Sequence, residues 1–315
     1  MRYIDFKDNY ATEESCKVSF KNYREQMGIK CKKCQGELHY WLPQREMYQC
    51  KNRACKFRTS LKSGTVMENS KMSFYDWFLA IHLMTASKMN ISALEIQRQI
   101  GHKYYEPIFD MAHKLRRVMG KRDAEYQLDG FLELDEGYFS NSKPLERNEF
   151  TGEQEKLKRG KGSQKKSKVL VMNSYETFTS KLKRDNPKYI TKPKYLKMTV
   201  IEDVISTTIN HEVEKSISSD AILKTDDNKA YKDLKTLVKA HHPHNVSKVK
   251  IGKVLPWVHK AISNSKAILN AIHHGISGDY LQNYLDEYCY KYNRRHFGEK
   301  LFERLVITCA LYTWY

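Results

Sequence analysis

The sequence predicts a multidomain α/β protein with three parts: a cysteine-rich ribbon, a helical unit, and a larger α/β domain. Three observations carry this. Four of the seven cysteines fall between Cys31 and Cys55. Apolar residues recur at helical spacing from Phe74 to Met119. After residue 130, strand-like runs that carry carboxylates alternate with helical patterns. A length of 315 residues allows two or three domains of roughly 100–200 residues each. The predicted divisions are 1–70 for an N-terminal arm and ribbon, 71–122 for the helical unit, and 123–315 for the α/β domain. A basic insertion loop is predicted at 141–168 within the last.

The ribbon is written in "CKKCQGELHYWLPQREMYQCKNRAC". Cys31 and Cys34 form one close pair, and Cys50 and Cys55 form a slightly wider second pair. Between them, "ELHYWL" and "EMYQC" flank a Pro-Gln-Arg turn and predict a hairpin. A hairpin that joins two cysteine pairs supplies four thiolates at tetrahedral positions, which suits one structural zinc. Four thiolates leave no open coordination position, so the ion would fold the segment and do no chemistry. Disulfides are the weaker alternative. Cys16, Cys289 and Cys309 are scattered and read as small buried hydrophobes.

In the helical unit, Ser73 caps a helix with Phe74, Trp77, Phe78, Ile81 and Met84 on one face. Ser92 caps a second, with Glu95 three residues on and Gly101 as its stop. A third begins near Pro107 and buries Ile108, Met111, Ala112, Leu115, Val118 and Met119. His113, Lys114, Arg116 and Arg117 lie off that stripe. A short helix, a tight turn and a basic helix make a helix-turn-helix, with residues 102–118 as candidate DNA contacts. A basic face that is only solvated is the competing reading.

Charge points the same way. The formal net charge is +18, from 55 Lys and Arg against 37 Asp and Glu. Such an excess predicts a polyanionic partner, nucleic acid before membrane. No run of about 18 apolar residues appears, and the N-terminus lacks a signal-peptide layout. A cytoplasmic location is therefore expected, nucleoid-associated in a bacterium.

The α/β domain opens on "GFLELDEGYF". Two-residue periodicity puts Glu133 and Asp135 on one face and Glu136 on the other. A carboxylate in a central strand is costly unless it meets positive charge. The basic run that follows, with Lys156, Lys158, Arg159, Lys161, Lys165 and Lys166, reads as a phosphate-backbone contact or as a solvated loop. "KVLVMNSYE" and "YLKMTVIED" predict further strands, and "AILKTDDNKAY" a strand that ends on Asp226, with Asp227 turned away. "LPWVHKAISNSKAILN" predicts a helix with His259, Asn264 and Lys266 as its polar interruptions. A final helix carries Leu281, Tyr284, Leu285, Tyr288, Cys289 and Tyr292 as a core stripe. Arg294 and Arg295 at its end would grip DNA or favour the helix dipole.

These blocks, in this order and spacing, resemble the zinc-ribbon transposases of insertion-sequence family 1595, from Cys31 to about Phe297. The resemblance implies a C-terminal α/β RNase H-like domain of the retroviral-integrase type. It implies a strand acid at Asp135, a second acid at Asp226, and a third ligand on a later helix. In relatives with glutamate, that ligand follows a histidine by five positions. His259 plus five is Asn264, so the resemblance implies a branch with asparagine there and a nearby lysine, Lys266. Two magnesium or manganese ions would be held by Asp135, Asp226 and Asn264. His259 would touch phosphate, move a proton, or cap its helix. Glu136, Asp220 and Asp227 are fallback ligands. The implied activity is DNA cleavage and strand transfer at the ends of an insertion sequence, by a homodimer or larger assembly on double-stranded DNA. A catalytically weak transposase-derived DNA-binding regulator is the alternative.

Overall fold

Ser73 and Ser92 open helices as their sequence context dictates. The Ser73 Oγ accepts the Asp76 N–H at 3.0 Å and the Ser92 Oγ accepts the Glu95 N–H at 3.1 Å. Gly101 ends the second helix in the left-handed region, φ 76°. The computed structural model describes residues 1–142, 163, 165–179, 189–244, 254–273 and 275–315. In chain order its helices are α1 (Tyr3–Asn9), α2 (Glu13–Met27), α3 (Phe74–Ala86), α4 (Ala93–Ile100), α5 (Glu106–Ala124), α6 (Ser206–Ser216), α7 (Pro256–Ile272), α8 (Gly278–Asn293) and α9 (Leu301–Leu311). Its strands are β1 (His39–Leu42), β2 (Met47–Cys50), β3 (Arg58–Ser60), β4 (Phe131–Ser140), β5 (Lys166–Thr179), β6 (Tyr189–Ile201), β7 (Ile222–Asp226) and β8 (Ala240–His244). The chain divides into Met1–Arg122 with Arg294–Tyr315, and Asp123–Asn293.

In the first unit, β1, β2 and β3 form an antiparallel ribbon, with His39 opposite Cys50 and Leu42 opposite Met47. The N-terminal arm is helical, which the sequence reading did not assign. Thr12 caps α2 by accepting the Ser15 N–H at 3.1 Å, and Glu13 and Glu14 sit in its first turn, where the dipole favours acid. Cys16, Phe20 and Arg24, four residues apart, form its buried stripe. Residues 294–315, expected in the α/β domain, belong to this unit instead. The reason is aromatic packing: Phe302 of α9 lies against Phe6, Tyr10 and Phe78, with ring centroids 5.2–6.0 Å apart.

In the second unit, a five-stranded sheet runs in the order β6-β5-β4-β7-β8. β5 is antiparallel to both β4 and β6, and β7 is parallel to both β4 and β8. One face packs Leu132, Leu134, Leu170, Met172 and Leu223 against α6 and the 3-10 stretch Lys229–Thr236. The other packs Phe139, Val169, Val171, Leu196 and Met198 against α7 and α8. The predicted stripe of α8 lies in this second core. Sheet and helices thus form three layers, and β4 is the central strand of the sheet.

The outer edge of β6 is closed by two amides of α8. Asn293 Oδ1 accepts the Leu196 N–H at 2.7 Å, and Asn293 Nδ2 donates to the Leu196 carbonyl at 2.9 Å. Gln282 accepts the Val200 N–H and donates to the Met198 carbonyl, at 2.7 and 3.0 Å. Asn293 Nδ2 also donates to Asp123 Oδ2 and Tyr126 Oη. Asn293→Ala leaves the buried peptide groups of Leu196 without these partners and should destabilise the second unit by about 2–3 kcal/mol. A urea unfolding series would read this as an earlier midpoint, with a smaller shift for Gln282→Ala, whose side chain is only half-buried.

Candidate functional site

The geometry of the site starts from strand register. Glu133 of β4 pairs with Lys224 of β7 in a parallel ladder. Two residues further along each strand are Asp135 and Asp226, so the two acids stand level and share a face. β7 ends at Asp226 while β4 continues to Ser140, which leaves the carboxylates at an open strand end. Both are half-buried. Asp226 Oδ1 accepts the Asn228 N–H at 3.2 Å, and Asp135 Oδ1 accepts the Glu136 N–H at 2.8 Å.

Glu136 points to the opposite face, as its place in the strand predicts. Asn228 Nδ2 reaches its carboxylate at 3.5 Å, and the hydroxyl of the buried Tyr231 lies beside it. Burial pushes the Glu136 carboxyl up to about 7; the Tyr231 hydroxyl opposes this, and the charges of Asp135 and Asp226 add to it. Three carboxyls thus feel one another at the strand ends. Such an excess of negative charge, on oxygen donors, fits a hard divalent cation. Asp220 and Asp227 are exposed and stand outside this group.

Helix α7 crosses the same face. His259 Nδ1 lies 3.7 Å from Asp135 Oδ2. Burial holds the His259 imidazole below its ordinary value, with Asp226 pulling the other way, so the ring is neutral at pH 7. Lys266 is seven residues on, on the same stripe of the helix. Its ammonium lies over the Phe139 ring, 5.4 Å from the centroid. Burial and the nearby Lys166 lower the Lys266 pKa. Asn264 does not join them. It lies about 140° around the helix from His259 and is exposed. It shares the stripe of Trp257, whose Nε1 donates to Thr191 Oγ1 of β6 at 3.1 Å. The reason is the rotation of α7: Val258, Ala261, Ile262, Ser265 and Leu269 face the core and put Asn264 on the flank away from the acids.

A family model described as the ISXO2-like transposase domain matches residues 127–293, just over half of the chain. The chain belongs to the ISXO2-like transposase family. No curated protein matches it. Among solved structures, the Mos1 strand transfer complex is 13% identical with a TM-score of 0.30, and the alignment covers 69% of this chain and 68% of that one. A pre-cleavage Mos1 transpososome is 11% identical with a TM-score of 0.26, over 74% and 77% of the two chains.

The four cysteines of this transposase converge as their spacing predicts. Their sulfurs lie within 4.8 Å of one another, with Cys31 to Cys55 at 3.7 Å and Cys34 to Cys50 at 3.5 Å. A tetrahedral zinc with sulfurs at about 2.3 Å separates them by about 3.8 Å, so the cluster is compatible with a zinc ribbon. The loops are shaped for this. The Cys31 N–H donates to the Gly36 carbonyl at 2.9 Å, and Gln35 and Lys56 turn in the left-handed region, each just after a cysteine. A Cβ at Gly36 would sit 3.4 Å from Cys34 Sγ. Against the desolvation of its site, the backbone N–H groups of Cys34 and Lys33 bring the Cys31 thiol down to about 7, which favours the thiolate.

The transposase corrects several of the expected DNA contacts. Lys114 is buried, paired with Asp110 at 2.7 Å and stacked over Trp314 at 4.6 Å. Arg116 is fully buried and donates to the Ile91 carbonyl at 2.9 Å. Both serve packing of the first unit: Trp314 of the C-terminal segment covers Lys114, and the segment before α4 receives Arg116. Arg117 is exposed and lies over the same Trp314 ring. Arg294 is buried and Arg295 half-buried. Lys165 and Lys166 are exposed, at the start of β5. Lys156, Lys158, Arg159 and Lys161, with most of the loop 141–168, lie outside the described residues. At the start of the expected contact segment 102–118, His102, Lys103, Tyr104 and Tyr105 form a polar and aromatic turn between α4 and α5. Tyr104 and Tyr105 are exposed there, and Lys103 lies over the Tyr104 ring at 5.3 Å.

Two outcomes test this geometry. Elemental analysis should find one zinc per chain, and Cys34→Ser should lose it together with the ribbon's cooperative melting. For Glu136, the folded value of about 7 lies above the ordinary 4.5, so the folded protein keeps a proton that the unfolded chain releases. Stability in magnesium-free buffer should therefore fall as pH rises from about 4.5 to about 7. Thermal melts across that range should show the slope, and Glu136→Gln should flatten it.

Proposed function

We propose that this transposase binds the ends of its own insertion sequence, cuts the DNA there and joins it to a new site. Asp135 and Asp226 are the carboxylates that hold divalent magnesium or manganese. The observation that carries this is the β4–β7 register, which sets two acids from distant parts of the chain side by side at an open strand end. A bound pair of such ions supplies activation of an oxygen nucleophile and stabilisation of a leaving 3′ oxygen.

The protein's own groups have distinct tasks in this reading. Asp135 and Asp226 bind; Glu136, within reach of Asn228 and beside Tyr231, tunes the charge behind them. His259 is neutral beside Asp135 and is placed to take or return a proton at Nδ1. Lys266, on the same stripe, faces the phosphate backbone and balances charge there. Asn264 has a surface role, on the flank of α7 that runs toward β6. A mixed five-stranded sheet with its first strand in the middle supports the RNase H-like reading of residues 123–293. The ribbon and helical unit then form the end-binding part, with zinc as a structural ion. Lys103, Tyr104, Arg117, Lys165 and Lys166 are its exposed candidates for phosphate contact, with the net charge of +18 behind them. Cutting both ends of one element calls for a dimer or larger assembly on DNA.

A second reading, a DNA-binding regulator without cleavage, is favoured by one observation. Asn264 stands away from the acids, and among the described residues only the four cysteines converge within 4.8 Å as a metal-binding group. The test is cleavage of duplex DNA that carries the inverted repeats flanking the reading frame. Wild type should cut with magnesium or manganese and not with EDTA. Asp135→Asn and Asp226→Asn should abolish cutting while binding persists; His259→Ala should slow it by about 10²-fold, as loss of a proton-transfer group does. Asn264→Ala should cut near the wild-type rate. Binding by wild type with no cutting in either metal would favour the regulator.

A further inference from the structure

Glu133 is a buried carboxylate that the proposed chemistry leaves without a task. It sits on β4 two residues before Asp135, on the same face, and is 3% exposed. One of its oxygens, Oε2, accepts two backbone N–H groups from the first turn of α7: Trp257 at 2.7 Å and Val258 at 3.0 Å. These are among the donors that a helix cannot satisfy within itself, and the residue before α7, Leu255, makes no side-chain cap. Burial raises the Glu133 carboxyl and these two N–H groups lower it, with Lys224 and Lys260 adding their charge. Two residues beyond Asp135 is Gly137. A Cβ there would stand 3.0 Å from Phe139 Cε2 and 3.4 Å from Ile262 Cγ1. The absence of a side chain lets α7 lie close to the strand at Ile262.

We infer that Glu133 and Gly137 act as a two-point dock for α7, with Asp135 between them, and that this dock fixes His259 against Asp135. Glu133 seizes the helix at the two residues just before the histidine, and Gly137 seats it at Ile262, three residues after. The two points set both the height of α7 along β4 and its rotation, and the rotation decides which stripe faces the acids. Glu133 is thus a positioning residue: it touches no substrate and acts through α7. The inference rests on the reading of Asp135, Asp226 and His259 as the site of DNA cleavage, and it adds the device that aligns them.

The test compares Glu133→Ala, Glu133→Gln and Gly137→Ala with wild type in the full chain. It reads amide hydrogen exchange in peptides covering 256–262, binding to the inverted-repeat duplex, and the turnover of magnesium-dependent cutting. Glu133→Ala should raise exchange in the first turn of α7 and lower turnover by about tenfold or more, the scale of a small misplacement at a reacting centre. DNA affinity should stay at the wild-type level. Glu133→Gln keeps an amide oxygen that can accept both N–H groups, so it should restore protection and most of the turnover. Gly137→Ala should lower turnover while the first turn stays protected, and it stands in if Glu133→Ala does not fold. Wild-type turnover in Glu133→Ala or in Gly137→Ala overturns the inference. So does a Glu133→Gln variant with protected amides and the turnover of the alanine variant, which would assign the effect to charge. Unaltered cutting by Asp135→Asn would instead sink the cleavage site itself, while the exchange arm still decides whether Glu133 holds the helix.

Discussion

The parallel pairing of β4 with β7 is the constraint on which the rest depends. Asp135 and Asp226 are 91 positions apart in the chain, and nothing local brings them together. Three ladder pairs, from Phe131–Ile222 to Glu133–Lys224, do so. Because side chains alternate along a strand, a slip of one residue would turn one acid to the far face. The register is held by burial: Leu132, Leu134 and Leu223 must all face α6 and the 3-10 stretch, and that choice leaves Asp135 and Asp226 on the side of α7. Hydrophobic packing on one face of the sheet thereby sets polar chemistry on the other.

The electrostatics run in opposite directions at two length scales. Over the whole chain, positive charge is in large excess, and such a field raises the local concentration of a polyanion and speeds encounter. At the strand ends, negative charge is concentrated; burial first, with the charges of Asp135 and Asp226 adding to it, raises Glu136 to about 7. A bare phosphodiester would be repelled from that spot. In the proposed reading, divalent cations between carboxylate and phosphate would reconcile attraction at long range with repulsion at short range.

Local signals were legible in the sequence and tertiary ones were not. The four cysteines, the caps at Ser73 and Ser92, the stop at Gly101 and the stripe of α8 depend on neighbours within a turn or a hairpin, and the structure has them all. The alternation of Glu133, Asp135 and Glu136 was legible for the same reason. Asn264 shows the limit. A five-residue spacing from His259 fixes an angle on the helix, but which flank meets the acids depends on how α7 is rotated on the sheet, and Ile262, Gly137 and Trp257 decide that. Lys114 and Arg116 lie off the apolar stripe in sequence, yet Trp314, two hundred positions on, covers Lys114, and the Ile91 carbonyl before α4 takes Arg116. The strand "AHHPH" carries a proline and no alternation; it is a strand because β7 offers it an edge. The helices of the N-terminal arm did have a signal, Thr12 followed by Cys16, Phe20 and Arg24 at four-residue intervals, overshadowed by the polar residues between them.

The amides of Asn293 and Gln282 have a consequence for assembly. A border strand with unsatisfied peptide groups is a template on which another chain can lengthen the sheet. The Leu196 N–H and carbonyl, the Met198 carbonyl and the Val200 N–H are already taken, each by a side chain imitating a neighbouring strand. Two copies of this chain therefore cannot fuse their sheets through that stretch of β6, and any meeting there would be between side-chain surfaces. A high local concentration of the chain then carries no invitation to polymerise edge to edge at that border.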